Sequence, residues 1–119
     1  MSNPIPVRVF DIVGGPLCVS AEDGQRVYDK IEPLLREGQK VNLSFGQVET
    51  LISVFLNAAI GQLYGNFSED RIRELLSVVD LEEEDRVILK RVVENAKAYF
   101  KAPKKFDQAW KEEIGDEEE

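Results

Sequence analysis

Chemistry in this chain has few carriers. There is no histidine, which removes the commonest general base, the commonest zinc ligand and every His-based triad or dyad. Cys18 is the only cysteine. Without a base beside it, it reads as a buried packing residue, and a lone thiol points to a reducing compartment. Glu82, Glu83, Glu84 and Asp85 are consecutive carboxylates. They lack the alternating donors and tight glycine turn of a hard-cation loop, and read instead as the acidic first turn of a helix. Gly14-Gly15 is followed by Pro16. No Lys-Ser or Lys-Thr follows and no third glycine completes a dinucleotide fingerprint, so a plain turn is expected. What remains is Ser53, with Asn57 four residues on. The serine reads as the cap of the helix start, and Asn57 reads equally as a surface contact or a solvated side chain.

The element that must hold Ser53 is the stretch Val41 to Tyr64. Val41, Leu43 and Phe45 alternate with Asn42 and Ser44, the period of a strand with one face in the core. From Val54 to Tyr64 the chain is almost wholly apolar, a helix that must be packed or covered. Upstream, Ile5 to Val13 is rich in β-branched residues and predicts a strand. A Gly-Gly-Pro turn then leads into Leu17 to Val19, which is expected to pair back as a hairpin. Ser20 predicts an N-cap for a helix running to about Glu37, with Val27, Ile31, Leu34 and Leu35 as its buried stripe and Gly38 as its stop. Pro33 is expected to bend it. Ile72 to Val79 reads as either helix or strand, and a strand from about Ile72 is expected. The last helix runs from Glu82, with Ile88, Leu89, Val92, Val93, Ala96, Tyr99 and Phe100 as its stripe, to a stop at Pro103. Phe106, Trp110 and Ile114 then stand on one face of a possible short helix before an acidic end.

The expected architecture is α/β, a small single-domain sheet of about four strands with mixed pairing and three main helices. Residues 1–103 form the domain and 104–119 a tail. A chain of 119 residues is one domain's worth. Its net charge of −8 argues against nucleic-acid phosphates as a ligand, although removing the six terminal carboxylates beyond Lys111 leaves about −2, a balance compatible with many partners. Neither a signal-like start nor an apolar run of spanning length is visible, so a cytoplasmic protein with no membrane partner is expected.

The order of elements, with Ser20-Ala21-Glu22-Asp23-Gly24 opening the first helix and Ser53-Val54-Phe55-Leu56-Asn57-Ala58-Ala59-Ile60-Gly61-Gln62-Leu63-Tyr64 filling the second, resembles the STAS domain. Leu89 to Lys97 adds a weaker match. The chain is most similar to the bacterial STAS-like family of unknown function, related to anti-sigma-factor antagonists. The resemblance implies a non-catalytic protein-interaction module of a regulatory switch, without a cofactor, whose partner is an ATPase of the histidine-kinase-like fold. It also implies that Ser53 is the phospho-acceptor and that the partner docks beside it, near Asn57 and the outward residues Asp29, Lys30 and Arg36 of the first helix. The family's preceding Asp is Ile52 here, and the residues after the serine are Val54-Phe55-Leu56. The other reading is a structural or assembly protein that recruits its partner through the C-terminal segment.

Overall fold

The computed structural model describes residues 3–101. Among these residues, five strands form two sheets, and every pairing is parallel. The main sheet has the order β1 (Ile5–Arg8), β3 (Val41–Ser44), β5 (Leu76–Val79), and β3 at its centre is the strand that the alternation predicts. Ile5, Val41 and Leu76 share one row, and Val7, Leu43 and Val78 another. Val7, Val41 and Leu43 are buried, so these rows face the core. The alternate rows, Pro6-Asn42-Ser77 and Arg8-Ser44-Val79, contain no buried residue. Pro6 has no N–H to give a ladder, which suits its place on an edge strand.

Two expectations are corrected at the N-terminus. The run from Ile5 stays extended only to Arg8; Val9–Val13 forms a short helix, α1, closed by Gly14 at φ 88°, whose N–H donates to the Phe10 carbonyl at 2.9 Å. The predicted hairpin is therefore absent. With a helical turn between them, β1 and β2 (Leu17–Cys18) never meet, and β2 pairs instead in parallel with β4 (Thr50–Leu51) as a second, two-stranded sheet. Mixed pairing gives way to parallel pairing because helical crossovers, rather than a tight turn, join successive strands of the main sheet.

Helix α2 (Ala21–Arg36) begins as expected. Ser20 Oγ accepts from the Asp23 N–H at 3.0 Å. Its end is a Schellman turn: Gly38, at φ 83°, donates to the Leu35 carbonyl, and the Gln39 N–H donates to that of Leu34 at 2.9 Å. Pro33 lies inside the helix, which continues past it to Arg36. Ser68 caps α5 (Glu69–Leu75), accepting from the Arg71 N–H at 3.1 Å. The predicted strand start at Ile72 is thus a correction. Ile72 and Leu75 are both buried on α5, three apart as a helix requires, and β5 begins only at Leu76.

Helix α6 (Glu83–Lys101) buries Val92 and half-buries Ile88, Leu89 and Val93, while Tyr99 and Phe100 stay exposed. It is tied to α5 where Lys97 Nζ donates to Glu69 at 2.8 Å, the carboxylate that Arg73 also holds at 2.7 Å. No helix among the described residues is long and apolar enough to cross a membrane. The stop at Pro103, the Phe106-Trp110-Ile114 face and the 104–119 tail lie outside the described residues.

Candidate functional site

Ser53 and Asn57 stand beside the small sheet. Register pairs Leu17 with Thr50 and Cys18 with Leu51. Cys18 and Leu51 are buried, which turns Leu17, Val19, Thr50 and Ile52 to the other face. That face is apolar and open: Leu17 is 52% exposed, Val19 42% and Ile52 39%, and Val54, the second helical residue, is 42% exposed. Among the described residues, four of the seven exposed large apolar side chains therefore lie within two short segments, and Ser53 sits between two of them. Sequence reading missed this surface, because it placed Val54 among the packed residues of an apolar helix. The remaining exposed apolar residues, Val87, Tyr99 and Phe100, belong to α6.

The helix carrying Ser53 is built in three parts, α3 (Ser53–Leu56), a π-helical turn (Asn57–Gly61) and α4 (Leu63–Asn66). Ser53 is not its N-cap. The capping position is Ile52, at φ −125° and ψ 165°, and no side-chain bond closes this helix start. The serine falls one residue too late to reach the first-turn N–H groups, so the cap expectation is corrected. We expect Ser53→Ala to change stability by no more than about 0.5 kcal/mol. Ser20→Ala, which removes an observed cap, should cost about 1 kcal/mol. Urea unfolding of both variants checks this contrast.

Asn57 opens the π turn, where the Gln62 N–H donates to the Asn57 carbonyl at 3.2 Å, five residues back. Both Ser53 and Asn57 are exposed. Asn57 also lines an apolar groove of about 260 Å³ with Gly61, Ala96, Tyr99 and Phe100. The first-helix residues divide. Asp29, Lys30 and Arg36 are all exposed, but α3 packs against the opening of α2 at Gly24. Arg36, at the far end of α2 and paired with Glu32 at 2.7 Å, is about 18 Å along the axis from that contact by helical rise. It does not share the surface of Ser53.

Cys18 lies directly under this face and is fully buried. Burial pushes its thiol from 9.0 up to about 11, with the nearby charges of Asp23 and Asp85 acting in the same direction. A thiol so placed is a packing residue. The acidic run opens α6 as Glu83, Glu84 and Asp85, its predicted role. Burial, and then the charges of Glu84 and Glu82, raise the Asp85 carboxyl above its ordinary range.

The family model for a STAS-like domain of unknown function (DUF4325) matches residues 23–86, from the first turn of α2 to the start of α6. No curated protein and no solved structure matches the chain. The match spans more than half of the chain and takes in α2 from Asp23 onward, the whole of the second helix opening at Ser53, and β3, β4 and β5, while Ser20 to Glu22 lie just before it. The chain belongs to this family of STAS-like domains of unknown function.

Proposed function

We propose that this chain is a non-catalytic protein-interaction module of a regulatory switch, and that its partner docks on the surface around Ser53. One observation carries the reading. Leu17, Val19 and Ile52 are exposed on one face of the small sheet, with exposed Val54 two residues further on, an apolar grouping of the kind that marks an interaction site. The resemblance to anti-sigma-factor antagonists supports an ATPase of the histidine-kinase-like fold as the partner class, and exposed Ser53 as its phospho-acceptor.

A calorimetric titration of such an ATPase against the parent chain, Ser53→Arg and Asn57→Arg tests this. A bulky cation at the centre of the face should weaken binding about tenfold or more at Ser53, and less at Asn57, which lies one turn along. Equal binding by all three proteins would remove this face as the interface.

A further inference from the structure

The small sheet has an open edge as well as an open face. The Thr50 N–H donates to the Pro16 carbonyl and the Ile52 N–H to the Cys18 carbonyl, each at 3.2 Å. Strand alternation therefore turns the N–H and C=O of Leu17 and Val19 away from β4. The extended run continues into Ser20, at φ −130° and ψ 151°. No lysine and no inward charge guards this edge; its protection is limited to Pro16 before it and the two-residue length of β2.

The charge around it is one-sided. Residues 14–23, 47–57 and 80–87 contain two, one and five carboxylates, eight in all, against one cation, Arg86. Three observations bring these segments together. β2 pairs with β4, Glu49 and Glu82 line one groove of about 450 Å³ beside Phe10 and Pro16, and Asp23 and Asp85 both act on Cys18. The neighbouring cations are engaged: Arg26 pairs with Asp23 at 3.1 Å, while Arg8 is held by Gln47 and lies 3.6 Å from Asp11.

We infer that the partner presents an extended, positively charged segment with apolar side chains, which adds to the outer edge of β2 as a third strand. The inference rests on the partner-binding reading above and names the chemistry that the partner must bring. Backbone groups of the added segment pair with Leu17 and Val19, its apolar side chains continue the Leu17-Val19 row, and its cations meet the carboxylates at Glu49 and Glu82. An acidic segment would meet like charge along the same edge.

Three blocked hexapeptides serve as probes for the full chain: alternating Lys-Val, alternating Glu-Val, and the Lys-Val sequence N-methylated at every second backbone nitrogen. Binding is followed by NMR of the backbone amides. The Lys-Val peptide should bind about tenfold more tightly than the Glu-Val one, with its largest shifts at Leu17 and Val19. N-methylation on the pairing side, which removes ladder donors while leaving charge intact, should cost about tenfold. A Glu49→Lys, Glu82→Lys double variant, checked for folding by its melting curve, should lose the preference for lysine. Equal affinity for Lys-Val and Glu-Val, unimpaired binding after methylation, or shifts confined to residues 112–119 would overturn the inference. If these peptides fail while a Ser53 substitution still weakens the ATPase, only strand addition falls. Peptide binding at β2 with no ATPase binding would instead remove the ATPase and keep the edge.

Discussion

Gly24→Ala is expected to destabilise the domain by about 3 kcal/mol, although alanine is the better helix former by about 1 kcal/mol. The reason lies in how closely α2 approaches the helix that carries Ser53. A Cβ on Gly24 would overlap the Phe55 carbonyl oxygen and stand 2.8 Å from Ala58 Cβ and 3.2 Å from the Ala59 nitrogen. Two of these three atoms are backbone, so no rotamer change relieves the clash, and the helices must separate. Phe55, Leu56, Ala59 and Ile60 lie fully or almost fully buried along that seam, and separation would open the centre of the core. Urea unfolding reads the loss as a fall in midpoint of roughly 2 M, for a slope near 1.5 kcal/mol/M. A variant that unfolds with the parent would mean that the two helices do not meet as described.

Val54→Lys is expected to leave stability within about 0.5 kcal/mol of the parent and yet to lower affinity for the partner about 100-fold. The two halves of that result have one cause. Val54 is 42% exposed in the free chain, so folding gains little from it, whereas a partner covering Ile52, Ser53 and Val54 would bury it at the centre of the contact. A lysine there loses apolar contact and adds a cation opposite a positively charged partner. The matched control is Ala98→Lys on α6, an exposed apolar-to-lysine change outside the groove that Asn57 lines, which should leave affinity unaltered. An equal loss at both positions would assign the effect to added charge alone.

The parts of the fold that were legible are those with a local physical signature. β3 announces itself by alternation, α2 by Ser20 at its start and Gly38 past its end, and α6 by its acidic first turn and apolar stripe. The parts that were not legible depend on distant partners. β4 is two residues long, too short to show a period, and exists because β2 lies beside it. The π turn at Asn57–Gly61 carries no composition cue, and the closeness of its segment to α2 depends on Gly24, more than thirty residues upstream. Ile72 and Leu75 did carry a usable signal, because their spacing fits a helix face and Ser68 caps it. β-branched Val78 and Val79 drew the strand too far back. At the site, Ser53 and Asn57 were read from type and spacing, but the apolar face around them was invisible. Leu17, Val19 and Ile52 look like core residues until the register of a two-residue sheet decides which side they take.

Amide hydrogen exchange of the full chain, alone and saturated with a histidine-kinase-like ATPase that binds it, tests the central claim most directly. The account predicts slowed exchange at residues 17–20 and 50–57, the two segments that frame Ser53, with the C-terminal half of α6 unchanged. Slowed exchange at Asn95 to Phe100, with residues 17–20 and 50–57 unaffected, would place the interface elsewhere and contradict it.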